Sequence, residues 1–124
     1  MYEVIVEQQF SSAHFLRNYH GQDEPLHGHN WKVQVKYRGK KLIQPEQYLI
    51  DFVELDQLLK KIIAHIDYKN INDVQPFNTI NPSAENIAEW ICQQLIQALP
   101  THAPHCVTVW ETEAGAARYY PAQQ

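Results

Sequence analysis

Hydrophobic and polar residues alternate along two long runs near the start of the chain. Residues 2–14 alternate with period two, and one face carries Tyr2, Val4, Val6, Phe10, Ser12 and His14, with Ile5 and Gln8 as exceptions to the pattern. Residues 27–38 alternate more strictly, and one face carries His27, His29, Trp31, Val33, Val35 and Tyr37. Successive side chains of a β-strand point to opposite faces. The pattern therefore predicts two long strands joined by a polar loop at roughly 17–25, the second with one solvated side.

A different spacing, of three and four residues, predicts two amphipathic helices in the middle of the chain. The first apolar stripe consists of Leu55, Leu58, Leu59, Ile62, Ile63 and Ile66. Asp51 and Glu54 form a capping pair at its start. The second stripe consists of Ile87, Trp90, Ile91, Leu95 and Ala98. Asn81-Pro82-Ser83 provides a helix start, Pro100 provides an end, and the segment 70–82 is typical of a loop.

Residues 106–112 and 116–120 predict two closing strands joined by a turn around Gly115. The resulting order, ββααββ, predicts an α+β fold: an antiparallel four-stranded sheet with both helices on one face. We expect one domain spanning residues 1–124. The open edges of such a sheet are usually paired or covered, and assembly edge to edge into a barrel would satisfy them.

Composition excludes several functional classes. The chain has 124 residues, 44% of them hydrophobic, and a net charge of −4. An acidic balance argues against a general nucleic-acid binder or a binder of anionic membranes. No apolar stretch approaches the roughly 20 residues of a membrane span, and the N-terminus does not have the form of a signal peptide. Cys92 and Cys106 have no framework spacing, so we expect reduced thiols and a cytoplasmic protein.

Three histidines have the spacing of a possible metal site. His27 and His29 lie two positions apart on a predicted strand, so both imidazoles project from one face. If the first two strands pair antiparallel, His14 lies near them. Three imidazoles with an open fourth position describe a catalytic zinc site. A lone strand histidine is more often an ordinary surface or hydrogen-bonded residue, so the residues alone leave both interpretations open.

Several motifs add a family resemblance that covers nearly the whole chain. The segments FSSAHF, LHGHNW, LIDF, NPSAENIAEWI and VWET, in this order and spacing, resemble the 6-pyruvoyl-tetrahydropterin synthase family. They are most similar to its 6-carboxytetrahydropterin synthase branch in the queuosine pathway. The resemblance implies the tunnelling fold, in which ββααββ subunits join their sheets into barrels, typically as homohexamers. It also implies Zn²⁺ bound by His14, His27 and His29.

The resemblance further implies two substrate contacts. Glu111 falls at the family's pterin-anchoring glutamate, and Ser83 falls where a hydroxyl residue lies against the pterin ring. Val107, Val109 and Glu111 share one strand face, so a carboxylate ends an apolar row. A carboxylate can accept two hydrogen bonds from the pyrimidine edge of a pterin. The residues alone favour an ordinary exposed strand glutamate.

The reaction implied by the family starts from 7,8-dihydroneopterin triphosphate. Zinc acts as Lewis acid and template, a cysteine and an Asp-His pair move protons, triphosphate leaves, and the product is 6-carboxy-5,6,7,8-tetrahydropterin. This sequence departs from that pattern at two positions. Asp23 occupies the cysteine position, and the Asp-His pair reads Asp67-Tyr68. A tyrosine, with an ordinary pKa of about 10, is rarely a base at neutral pH.

Two interpretations of these departures are open, together with a third hypothesis for the chain as a whole. In the first, Asp23 or Glu24 acts as the general base over the zinc. Glu24 also forms E-x-x-H-G-H, which resembles a branch in which glutamate replaces the cysteine and the product is 6-hydroxymethyl-7,8-dihydropterin for folate synthesis. In the second, the domain is a catalytically impaired, pterin-binding paralogue. In the third, the zinc is purely structural.

Overall fold

A computed structural model describes residues 1–122 of the chain. Within that range the secondary-structure elements, in chain order, are β1 (Tyr2–His14), β2 (His27–Gly39), α1 (Phe52–Ile63), a short 3-10 helix (Ile71–Asp73), α2 (Ala84–Ala98), β3 (Cys106–Thr112) and β4 (Gly115–Tyr119). The predicted ββααββ order is confirmed. None of the helices in this range is long and apolar enough to cross a membrane.

The long hairpin of β1 and β2 has the predicted alternation. The two strands pair antiparallel along their whole length, from Tyr2 opposite Gly39 to His14 opposite His27. Phe10 and Trp31 face each other in this register, and their rings stack with centroids 5.6 Å apart. Because every second side chain points to the same face, the buried face of the hairpin ends in the three histidines.

The other two strands complete one antiparallel sheet of the described residues, in the order β1-β2-β3-β4. Val33 of β2 lies opposite Val109 of β3. The predicted turn is displaced by one residue, since Gly115 begins β4 and the turn is formed by 113–114. The Thr112 hydroxyl accepts a hydrogen bond from the Ala114 N–H at 3.3 Å, so this turn forms without glycine at its centre. The edges are β1 and β4, and their joining into a barrel stays a prediction.

Both helices pack on the same face of the sheet, α1 against β1 and α2 against β3 and β4. Asp51 caps α1 by accepting a hydrogen bond from the Val53 N–H at 3.0 Å. Ile66 is fully buried although it lies beyond the end of α1, so the apolar stripe continues into the following turn. Ser83 caps α2. The Pro82 carbonyl, just before α2, lies 2.7 Å from Nδ1 of His14, so the start of α2 lies beside the end of β1.

Candidate metal centre

The structure brings the three histidines together at one end of the sheet. His14 lies directly opposite His27, and His29 lies two residues further along β2 on the same face. The ring centroids are 4.7 Å apart for His14 and His27, 4.8 Å for His27 and His29, and 5.2 Å for His14 and His29. The buried indole of Trp31 packs against two of these rings, with centroids 4.7 Å from His14 and 5.2 Å from His29. The antiparallel hairpin thus produces the proximity expected from the sequence.

A carboxylate joins the three imidazoles. The Oε1 atom of Glu111 lies 2.9 Å from the Nε2 atoms of His14 and His29 and 4.0 Å from Nε2 of His27. One ligand atom from each of the four residues lies within 4.8 Å of all the others. The family resemblance implies three histidine ligands with an open fourth position, and it implies that Glu111 contacts the pterin. In the structure its carboxylate lies at the fourth position.

Hydrogen bonds at the far side of two rings determine which nitrogen faces the cluster. The Nδ1 atom of His14 lies 2.7 Å from the carbonyl oxygen of Pro82, and Nδ1 of His27 lies 2.8 Å from that of Pro25. A carbonyl oxygen only accepts, so each Nδ1 carries the proton and donates it. Each Nε2 then presents a lone pair to the cluster. Histidine ligands of metals are oriented by such outer hydrogen bonds.

His29 completes the donor set in a different way. Its Nε2 atom is buried and has no hydrogen-bond partner among the described residues, because the approach to Glu111 is short but not in hydrogen-bond geometry. Burial lowers the pKa of His29, and the imidazoles of His14 and His27 lower it further against the opposing attraction of Glu111. A neutral imidazole is the form that binds a metal. Three imidazole nitrogens and one carboxylate oxygen are ligands that suit Zn²⁺.

The two acidic residues before His27 occupy different environments. Asp23 is exposed, and its Oδ1 atom accepts a hydrogen bond from the Asn18 N–H at 3.1 Å. Glu24 is half-buried, and its Oε1 atom accepts a hydrogen bond from the Leu16 N–H at 2.9 Å. The Glu24 N–H donates to the Leu16 carbonyl at 2.9 Å. Because Leu16 follows His14 by two residues, the Glu24 carboxylate is held at the loop that leaves β1, whereas Asp23 faces solvent.

Asp67 and Tyr68 lie along the edge of β1, outside the histidine cluster. The Oδ1 atom of Asp67 accepts a hydrogen bond from the Ser11 N–H at 3.0 Å, and the Tyr68 N–H donates to the Ser11 carbonyl at 2.7 Å. The Tyr68 side chain is 84% exposed, and its backbone has φ of 54°. The described chain by itself therefore does not bring the Tyr68 hydroxyl to the metal centre.

Ser83 has a structural partner beside the centre. Its hydroxyl oxygen accepts a hydrogen bond from the Asn86 N–H at 3.1 Å and caps α2. The preceding residue, Pro82, holds His14 through its carbonyl. The roles of the Pro82 and Pro25 carbonyls are not predictable from the sequence, because a backbone acceptor leaves no residue-type signal. Glu111 does have a signal, since it shares a strand face with Val107 and Val109.

The two cysteines lie outside the cluster and are not disulfide-bonded in the described part of the chain. Both are buried. Burial raises the pKa of the Cys92 thiol to about 11 and also raises that of Cys106. Since the thiolate is the reactive form, neither is poised to act as a nucleophile or base at neutral pH.

Comparisons with known proteins find one family. The model of the family described as 6-pyruvoyl tetrahydropterin synthase matches residues 3–122. The chain is 29% identical to a dihydroneopterin monophosphate aldolase of Pyrococcus furiosus, covering 78% of this chain and 77% of that protein. It is 30% identical to a 6-pyruvoyl tetrahydrobiopterin synthase of Poecilia reticulata, covering 90% and 85%. It is 28% identical to a putative 6-carboxy-5,6,7,8-tetrahydropterin synthase of Archaeoglobus fulgidus, covering 76% of each.

Solved structures show the same fold. The 6-pyruvoyl tetrahydropterin synthase of Caenorhabditis elegans superimposes with a TM-score of 0.83 at 25% identity, covering 98% of each chain. A Plasmodium vivax 6-pyruvoyltetrahydropterin synthase superimposes with a TM-score of 0.76 at 26% identity, covering 97% of each chain. That Plasmodium protein is a catalytic-residue mutant in which a glutamate is replaced by alanine. The predicted tunnelling-fold subunit is thereby confirmed.

Proposed function

Because this chain belongs to the 6-pyruvoyl tetrahydropterin synthase family, we propose that it is a zinc-dependent enzyme acting on the side chain of 7,8-dihydroneopterin triphosphate. The proposed product is 6-carboxy-5,6,7,8-tetrahydropterin, an intermediate on the route to queuosine. The similarity to a putative synthase of that product in Archaeoglobus fulgidus supports this choice. The reaction would use an atypical set of proton-transfer groups.

The observation that carries the proposal is the convergence of His14, His27, His29 and Glu111, whose ligand atoms lie within 4.8 Å of one another. Two of the imidazoles are oriented by backbone carbonyls, and the third has a buried nitrogen without a hydrogen bond among the described residues. A zinc ion held there supplies Lewis acidity toward the side-chain oxygens of the pterin. The buried indole of Trp31 packs against the rings of His14 and His29 on the side of the core, which helps to hold both imidazoles in place.

Glu24 is the better supported general base. Its carboxylate is half-buried and held beside the end of β1 by the Leu16 N–H, whereas the carboxylate of Asp23 faces solvent. A base must lie within reach of the proton that it removes, so position ranks before residue type. The Plasmodium vivax mutant supports this assignment, because a glutamate is a catalytic residue in that relative.

Glu24 also supports a second product. A single carboxylate base is sufficient for an aldolase-type cleavage of the side chain, which would give 6-hydroxymethyl-7,8-dihydropterin for folate synthesis. The Pyrococcus furiosus relative is a dihydroneopterin monophosphate aldolase. In the single chain Tyr68 points into solvent. Any proton that it donates would therefore go to a centre formed on assembly, with Asp67 holding the strand edge beside it.

Two residues are proposed to contact the pterin. Glu111 would accept hydrogen bonds from the pyrimidine edge, and Ser83 would lie against the ring while its oxygen caps α2. The Glu111 side chain is 38% exposed, so a ligand can reach the carboxylate from solvent. Its Oε1 atom faces the imidazoles, so the pterin would be contacted by Oε2 or by a carboxylate that turns from the metal site to the substrate on binding.

We propose that the chain works as a homohexamer. The two sheet edges, β1 and β4, have no further strand beside them within the described chain. Exposed apolar side chains lie beside the β1 edge, with Ile5 45%, Phe52 60% and Val53 62% exposed. Edge-to-edge joining of sheets would cover both features. Sedimentation velocity of the purified chain tests this, and a monomer at micromolar concentration would contradict it.

The function is tested by incubating the zinc-loaded chain with 7,8-dihydroneopterin triphosphate and identifying the products by mass spectrometry. A synthase would produce 6-carboxy-5,6,7,8-tetrahydropterin, and an aldolase would produce 6-hydroxymethyl-7,8-dihydropterin. A zinc-loaded sample that binds the substrate without consuming it would overturn both reactions in favour of a catalytically impaired, pterin-binding paralogue.

A further inference from the structure

The carbonyl of Pro82 is the feature that orients His14, and its own position requires an explanation. His14 is 1% exposed and lies at the end of β1, whereas Pro82 lies just before α2. The two residues are 68 positions apart in sequence and meet at 2.7 Å. A ligand imidazole held by one carbonyl keeps its orientation only if that carbonyl is itself fixed. The contacts of the neighbouring residue, Asn81, provide that restraint.

The side-chain amide of Asn81 pairs with the backbone of Arg17 in both directions. Its Oδ1 atom accepts a hydrogen bond from the Arg17 N–H at 2.9 Å, and its Nδ2 donates to the Arg17 carbonyl at 3.0 Å. On the other side, the backbone carbonyl of Asn81 accepts a hydrogen bond from the Asn86 side chain at 2.8 Å. Asn81 therefore ties the loop after His14 to the first turn of α2.

Together with the backbone, these contacts form a closed loop that begins and ends at His14. The path leads from His14 along the backbone to Arg17, across the amide pair to Asn81, on to Pro82, and back to Nδ1 of His14. The amide pair is the only non-covalent link in this path besides the imidazole contact. Its removal would loosen the Pro82 carbonyl relative to the imidazole, and the nearest remaining link would be the contact of the Arg17 guanidinium with the Ile80 carbonyl at 3.2 Å.

We propose that Asn81 is a positioning residue of the metal centre, which fixes the Pro82 carbonyl so that His14 presents Nε2 to the metal. The proposal rests on the proposed metal site, and it adds a residue that touches neither metal nor substrate. It predicts that metal affinity depends on the Asn81 amide even when the fold is intact.

The test measures the zinc dissociation constant of the full chain by competition with a chromophoric chelator. Asn81→Ala is expected to weaken zinc binding by about 10- to 100-fold, the usual effect of losing an outer partner of a ligand. Asn81→Gln, which keeps the amide but displaces it by one methylene, provides a milder variant if the alanine variant does not fold. Leu59→Ala and Ile63→Val, at buried positions of α1, control for lost stability. They should bind zinc like the unaltered chain, at a temperature where circular dichroism shows every variant folded.

A second measurement does not depend on metal. Long-range ¹H–¹⁵N spectra of the metal-free chain should show His14 as the single Nδ1–H tautomer, and Asn81→Ala should show a mixture of tautomers. Equal zinc affinity of Asn81→Ala and the α1 controls, or an unchanged His14 tautomer in a folded Asn81→Ala variant, would overturn the role of Asn81. Failure of the unaltered chain to bind zinc would overturn the proposed metal site instead, and the spectra would still test the positioning of His14.

Discussion

Oε1 of Glu111 lies 2.9 Å from Nε2 of His14, across 97 positions of the chain. The other nitrogen of His14 donates to the Pro82 carbonyl, so Nε2 faces the carboxylate with a lone pair. Two acceptors at this distance repel each other unless a positive charge lies between or beside them, and a bound metal ion would supply that charge. The contact therefore connects the proposed substrate anchor with the proposed metal site.

Glu111→Gln tests that connection. The amide keeps the shape of the side chain but loses its charge, so we expect the zinc dissociation constant of the substrate-free chain to rise by about 10-fold or more. Isothermal titration with zinc in a competing buffer measures the change. Glu113→Gln, the same substitution at an exposed position in the adjacent turn, should bind zinc normally. Unchanged zinc affinity in Glu111→Gln would restrict Glu111 to contact with the pterin.

Glu24→Gln should abolish most turnover while the chain keeps its zinc. Removal of a general base typically lowers the rate by about 10²- to 10⁴-fold. The glutamine can still accept the hydrogen bond from the Leu16 N–H, so the loop should keep its conformation. The measurement is kcat for consumption of 7,8-dihydroneopterin triphosphate, with zinc content determined on the same sample.

Asp23→Asn provides the matched control for Glu24→Gln. Asp23 is exposed, so this variant should retain kcat to within a few-fold. The opposite pattern, a large loss in Asp23→Asn and normal turnover in Glu24→Gln, would assign the base to Asp23.

His27→Ala separates a catalytic zinc from a structural zinc. The His27 side chain is 35% exposed, and the core beneath it is formed by other residues. The free energy of unfolding of the metal-free variant should therefore differ by no more than about 1 kcal/mol from that of the metal-free unaltered chain. It should lose zinc and turnover. His20→Ala, at an exposed loop position, controls for removal of an imidazole. A variant that is unfolded at 25 °C would instead favour a structural zinc.

The buried thiol of Cys92 should lower the free energy of unfolding at alkaline pH. Burial raises its pKa to about 11 in the folded chain, whereas the pKa of a thiol in the unfolded chain is about 8.5. The unfolded chain loses this proton first, so the free energy of unfolding falls as pH rises between these two values. Urea unfolding at pH 7.5 and pH 10 should show that the unaltered chain loses roughly 1–2 kcal/mol more than Cys92→Ala. An equal loss in both would contradict the buried, protonated thiol.

Much of the fold follows from the alternation of side chains. The bounds of β1 and β3 agree with the predicted ranges, and β2 extends one residue further, to Gly39. The turn between β3 and β4 was predicted wrongly, because Gly115 is the expected turn residue and the Thr112 hydroxyl instead stabilises a turn at the two residues before it. Local chemistry of this kind depends on one side-chain hydrogen bond, which a residue pattern does not reveal.

The candidate site was predictable as far as strand faces determine it. Because His27 and His29 lie two residues apart on one strand, they share a face, and antiparallel pairing brings His14 near them. The choice between Asp23 and Glu24 was not predictable, because it depends on which backbone N–H each carboxylate accepts. The role of the Pro82 carbonyl was not predictable either, since it arises when the start of α2 packs beside the end of β1.

The most direct test is a product assay on a sample whose zinc content is measured in parallel. A zinc-dependent reaction predicts about one zinc per chain and consumption of 7,8-dihydroneopterin triphosphate that stops when a chelator removes the metal and resumes when zinc is restored. Substrate that stays intact in the presence of the fully zinc-loaded chain would contradict it.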